Sequence, residues 1–332
     1  MKIGSNRTIS LATTYITAAL PPIDWHIGKY AQTTVETKNL NVIFYHSRAF
    51  GNLSKDYFAG TKKIIEKMEN ISGSLEELHA HCPFIPREVE VMLFEEPFIG
   101  DRKIPGRNMI CIDMYHRDHI NSMLHETGHI VFDKADSLPW RLIYCFALGD
   151  RSRFNLFKDS SFIPDWHQAE IAREQGWGFI DKPDPGRGPG HPWDNPNELF
   201  ASAFHAYTAF PDELARRIQD PKTPKDAARA ALLVFLYLRD EVFFGKTFFD
   251  QADPFKAYNF RSEIAKLKLE EITDSINNMD PEVDLLLNEQ NSQKRGRGDL
   301  AQTADWLGRY QGLNVLQLCN RFGWRTFPAF LL

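Results

Sequence analysis

Leu124-His125-Glu126-Thr127-Gly128-His129-Ile130-Val131 carries two histidines four residues apart, with a glutamate directly after the first. In a helix this spacing sets two imidazoles one turn apart on one face with a carboxylate beside them. That arrangement suits a zinc ion with a general base next to it, so the residues point to metal-dependent hydrolysis.

The flanking residues support a helix. At about 100° per residue, Asn121, Ser122, His125, Glu126, His129 and Asp133 fall on one arc, and Ile120, Met123, Leu124, Thr127, Ile130 and Val131 on the other. Phe132 is the exception on the polar side, and Asp118 stands where an N-cap belongs. Gly128 costs a helix interior about 1 kcal/mol relative to alanine, for which close approach of another backbone is a reason. Asp133, one turn after His129, and Asn121, one turn before His125, are candidates to orient the imidazoles from the outer side.

A catalytic zinc site usually has three protein ligands and one open position. A glycine three residues and a histidine six residues after the second motif histidine would extend the motif, but Phe132 and Ala135 occupy those places. Downstream, Asn195-Pro196-Asn197-Glu198-Leu199-Phe200-Ala201-Ser202-Ala203-Phe204 reads as a capped helix with proline at its first position. Glu198, Ala201, Ser202 and His205 share one face of it, and the small residues would allow close packing on the first helix. Glu198 also stands where it could close a capping box with Asn195. His167, His191 and His205 are the rival third ligands.

The pair HETGH and NPNELFASAF resembles the gluzincin metallopeptidases, most of all the branch that contains the catalytic domain of anthrax-toxin lethal factor. The resemblance covers roughly residues 85 to 210 and is specific at the two helices. It implies a zinc-dependent peptidase with ligands His125, His129 and Glu198 and with Glu126 as base. It also implies a zincin-like α+β fold, in which an edge strand of a small twisted mixed sheet binds extended peptide. Two departures stand out: the segment between the helices is longer here, and His191 occupies the family's transition-state tyrosine position, seven residues before the glutamate. His191 is therefore the preferred transition-state donor, with His205 and Tyr207 as alternatives; Tyr207 falls on the opposite face from Glu198 and reads as core.

The 332 residues can bury a substantial core, and 43% hydrophobic with 25% charged residues is ordinary for a globular chain. A net charge of −5 offers no electrostatic case for nucleic acid or an anionic membrane. The substrate expected is peptide or protein. Cys82, Cys111, Cys145 and Cys319 form no C-x-x-C pair, which favours a reducing, cytoplasmic setting. Cys111, fourteen residues before His125, invites comparison with the peptide deformylases, whose ligand cysteine lies much further upstream. Residues 9–20 make a poor signal peptide, and the apolar run 230–238 is too short to span a bilayer.

The expected organisation is an N-terminal segment over 1–38, a metallopeptidase domain over 39–220 and a helical region over 221–332. Strands are expected at 41–45, 89–93 and 109–114, and helices at 55–70, 212–218, 227–244 and 255–277, with a helix pair in 300–322. Two other functions fit the same residues. One is a zinc-stabilised interaction module without turnover. The other is a helical binding protein in which the histidines merely line a solvated face.

Overall fold

Ser10–Tyr15 (β1), Tyr30–Glu36 (β2), Asn41–Ser47 (β3), Glu88–Phe94 (β4), Arg102–Ile104 (β5) and Met109–Asp113 (β6) form one sheet in the order β1-β2-β3-β4-β6-β5. The β3–β4 and β4–β6 pairs are parallel, and the outer pairs are antiparallel. The computed structural model describes residues 10–15, 30–47, 57–94, 101–113, 119–148, 195–279 and 297–331. They belong to two compact units, Met1–Lys134 and Ala135–Leu332, a division that differs from the expected boundaries at 38/39 and 220/221. The fold is mixed, with one mixed sheet and many helices.

In the first unit the alternation of side chains assigns the sheet faces. Val35, Val42, Phe44, Val89, Val91, Leu93, Ile110 and Ile112 share one face and are buried. One cross-strand row on that face runs Thr33, Phe44, Val91, Ile110 and then Lys103 on the edge strand β5. The opposite face buries Met92, Met109 and Cys111 with Tyr45 and Ile104 packed against them. β3 and β6 read as short apolar runs and β4 as an alternation of Val89, Val91 and Leu93, which is why these strands were legible. β1 and β2 fall in the region where the sequence showed little pattern. In β2 the inward positions are held by Thr33 and Val35, so the alternation is weak.

Between β3 and β4 runs a helix, Tyr57–His79 (α1), longer than expected at its C-terminal end. Ile64, Met68, Ile71, Leu75 and Leu78 recur at helical spacing and are buried. The motif lies on His119–Ala135 (α2), with position 118, the expected cap, outside the described residues.

The second unit contains helices Leu138–Leu148 (α3), Pro196–Ala209 (α4), Pro211–Gln219 (α5), Lys225–Tyr237 (α6), Phe260–Ile264 (α7), Leu269–Asn277 (α8), Arg297–Gly308 (α9) and Val315–Phe322 (α10). α3 is buried at every residue except Arg141 and contacts α4, α6, α8 and α10. An element apolar on all sides shows no stripe, so the sequence did not mark it. Trp140 ties it to α4 by donating its indole N–H to the Pro196 carbonyl at 2.9 Å, and its ring meets Phe200 and Tyr237.

The stretch expected to be helical over 255–277 divides into α7 and α8. Backbone between them pairs with the α9–α10 connection: the Leu269 N–H donates to the Leu313 carbonyl and the Val315 N–H to the Leu267 carbonyl. Each following helix starts with a reciprocal cap glutamate or glutamine, Glu271 on the Lys268 N–H and Gln317 on the Asn314 N–H, both at 2.9 Å. Among the described residues no helix is long and apolar enough to cross a membrane.

Candidate metal centre

The angular pattern of α2 is matched by burial. Met123, Leu124, Thr127, Ile130 and Val131 are buried, while Asn121, Ser122 and His125 are part-exposed and Asp133 is exposed. Phe132, the apolar exception on the polar arc, is also buried. Thr127 resolves its own hydroxyl inside the helix by donating to the Met123 carbonyl at 2.6 Å, so it adds no unpaired polar group to the buried face.

On the other arc, Glu126 and His129 are 5% and 6% exposed, and the Nε2 atom of His125 is itself buried. The two imidazoles meet edge to face with centroids 4.9 Å apart. One ligand atom each from His125, Glu126 and His129 lies within 4.8 Å of the others, the one group among the described residues with donors suited to a metal ion. Two ligands of a tetrahedral zinc at about 2.1 Å stand about 3.4 Å apart, so the widest pair has to close by up to about 1.4 Å. Side-chain rotation supplies that, and the residues therefore fit a divalent ion. Their nitrogen and oxygen donors suit zinc and do not by themselves exclude other transition metals.

Cys111 is not one of these donors. It packs with Met92 and Met109, and burial pushes its thiol up to about 12, with Arg102 acting in the opposite direction and Glu126 adding to the rise. A thiol ligates metal as thiolate, which this setting disfavours.

Asp133 is held by Lys103 of β5 in an ion pair, the partner the structure provides for this outer-side candidate. Asn121 is part-exposed on the polar arc. Neither the edge lysine nor its role was marked in the sequence; the one available sign is a basic residue at an inward position of a three-residue strand. Near Asp133, a cavity of about 440 Å³ opens between Glu88 and Glu90 of β4, the Gly106–Asn108 turn and Lys134. Glu90 is satisfied there by two Arg107 nitrogens and by the Tyr45 hydroxyl at 2.9 Å. Burial, and then that hydrogen bond, push the Tyr45 hydroxyl up to about 12.

In the second unit α4 begins as expected. Asn195 Oδ1 accepts from the Asn197 and Glu198 N–H groups at 2.9 and 3.1 Å, with Pro196 at the first helical position. Glu198 is part-exposed, Ala201 and Ser202 are fully buried, and His205 is buried with its ring edge-on to Phe210 at 5.5 Å. Tyr207 is core: its hydroxyl donates to the Lys246 carbonyl at 2.6 Å, its ring contacts Phe235, Phe243 and Phe248, and burial drives its pKa far up. His167 and His191 lie outside the described residues.

No protein-family model matches the chain, and no curated protein or solved structure matches it.

Proposed function

We propose that this chain is a zinc-dependent peptidase of zincin-like fold. Its proposed metal ligands are His125 and His129 with, from the sequence resemblance, Glu198. The observation that carries the reading is the convergence of His125, Glu126 and His129 on one arc of the amphipathic helix α2, with Glu126 and His129 buried. The chemistry such an ion supplies is Lewis acidity, which lowers the pKa of water toward about 7 and offsets developing negative charge.

Glu126 is the proton carrier: it takes a proton from the attacking water and returns it to the leaving amine. Its place one residue after His125 keeps the carboxylate beside the metal donors without requiring it as a ligand. His191 is proposed as the donor to the oxyanion, on the strength of its position seven residues before Glu198.

The test is bound-metal stoichiometry by elemental analysis on protein without a histidine tag, together with hydrolysis of a peptide library. About one zinc per chain is expected in the wild type, lost or much weakened in Glu198→Ala. Glu126→Gln should keep its zinc and lose at least about a hundredfold in rate. A wild type that takes up no zinc sinks the proposal. Zinc without any turnover would instead favour a zinc-stabilised interaction module, and zinc unaffected by Glu198→Ala would remove Glu198 as a ligand.

A further inference from the structure

Lys103 is the middle residue of the three-residue edge strand β5, and its side chain is only 10% exposed. It ends a cross-strand row whose other members include fully buried Phe44, Val91 and Ile110. A lysine ammonium is rarely taken out of water without a partner. Its partner is Asp133, one helical turn beyond His129 on α2, and that carboxylate is 47% exposed. Among the described residues the strand that carries Lys103 has one hydrogen-bonded neighbour, β6, through the pairs Arg102–Cys111, Lys103–Ile110 and Ile104–Met109. Among those residues its outer edge is the end of the sheet, the side on which an extended strand adds.

We infer that the Lys103–Asp133 pair is a positioning device, which fixes the edge strand β5 against the helix that carries His125 and His129. It thereby sets where an extended peptide chain laid along β5 stands relative to those residues. The inference about peptide rests on the peptidase reading; the inference about the strand does not. The strand is also held by its pairing with β6 and by Ile104 on the Met92–Met109–Cys111 cluster, and the ion pair adds a tie from the opposite face to α2.

The unequal burial of the two partners makes a specific prediction. Asp133→Asn leaves a buried ammonium without its counter-charge, and β5 must move to hydrate it. Lys103→Met replaces that ammonium by an apolar chain of similar length at the end of an apolar row, and leaves a carboxylate that already has access to water. The second change should therefore suppress the first.

The experiment is amide hydrogen exchange of residues 102–111 on the full chain, in wild type, Asp133→Asn, Lys103→Met and the double variant. Zinc content, KM and kcat are measured for a peptide found by library screening. In Asp133→Asn, exchange in this hairpin should rise at least about tenfold. KM should rise by a similar factor, and by more than kcat falls. Lys103→Met alone should move exchange and KM by no more than about threefold, and the double variant should return to that level. Unchanged exchange in Asp133→Asn, or a double variant as open as Asp133→Asn, overturns the positioning role. Raised exchange in Asp133→Asn with an unchanged KM overturns the peptide part of it. A wild type without zinc or turnover defeats the peptidase reading alone, and exchange still decides whether the pair fixes β5.

Discussion

Two ion pairs of the first unit and one arginine of the second place charge differently, although the second unit also has exposed pairs such as Arg216 with Glu213. In the first, ion pairs stand at the margins of the sheet: Lys103 with Asp133 at the edge strand, and Arg107 with Glu90 beside the cavity. Each has one partner at least partly open to water. In the second, Arg239 lies deep among helices and is 6% exposed. Its guanidinium donates to Asp240, Asp253 and the carbonyls of Phe255 and Tyr258, on the one π-helical turn among the described residues, Leu238–Val242. A marginal pair can adjust a strand without endangering a core. An internal one holds several segments at once, and its guanidinium, 7% exposed, has little access to water even though Asp240 is 22% exposed. The proposed chemistry is drawn mainly from the unit with the adjustable charges, and the second unit's arginine is structural.

Cysteine chemistry offers the largest effect with which to break that comparison. Cys82 and Cys111 belong to the first unit and Cys145 and Cys319 to the second, and burial pushes all four thiols up to about 12. Against an ordinary thiol near about 8.5, the thiolate fraction at pH 8 falls by about three orders of magnitude. Native protein should therefore react with a thiol-specific alkylating agent about a thousandfold more slowly than unfolded protein, at every cysteine, as mapped by mass spectrometry. Because the folded pKa lies above the unfolded one, the associated stability is present in full below about pH 8.5 and is lost as pH rises toward the folded value. A cysteine that labels fast at pH 8 in native protein would show its unit to be open.

Next in size is Arg239→Ala, which leaves Asp240 and Asp253 without their counter-charge. It should cost the second unit about 3–5 kcal/mol, read by urea denaturation. Cys145 and Cys319 should then label ahead of Cys82 and Cys111. A cost below about 1 kcal/mol, or equal labelling of all four, would remove the distinction drawn between the two kinds of ion pair. The smallest effect sharpens the description of α4. Asn195→Ala removes the acceptor for two N–H groups and should cost about 1 kcal/mol by the same measurement. Zinc affinity measured on that variant shows whether the cap also holds Glu198 for the metal, since a stability loss with unchanged affinity confines Asn195 to capping.

Much of the fold and candidate site was legible because it rests on local rules. The strands β3 and β6 are short apolar runs, β4 alternates through Val89, Val91 and Leu93, α2 is an amphipathic helix with its histidines on one arc, and α4 announces itself through Asn195 and Pro196. Other parts were not legible for equally physical reasons. In β2 a threonine fills an inward position, α3 is apolar on every side, and the break between α7 and α8 depends on backbone pairing with a connection some 45 residues away. Helical spacing offers Asp133 as an outer-side candidate for His129, and the structure adds Lys103 as its ion-pair partner. Which side chain meets it depends on where β5 ends in the sheet.

What the sequence determined by itself is therefore the inventory and spacing of the donors. His125, Glu126 and His129 belong on one helix face, because 3.6 residues per turn brings positions 125 and 129 together wherever that helix lies. Glu198 enters on a capped second helix. Only the tertiary structure decided that Lys103 is buried and answers Asp133, that Cys111 faces an apolar cluster, and that the Tyr207 hydroxyl donates to the Lys246 carbonyl. Those outcomes are set by contacts between segments far apart in the chain, where register and burial, not local periodicity, choose the partner.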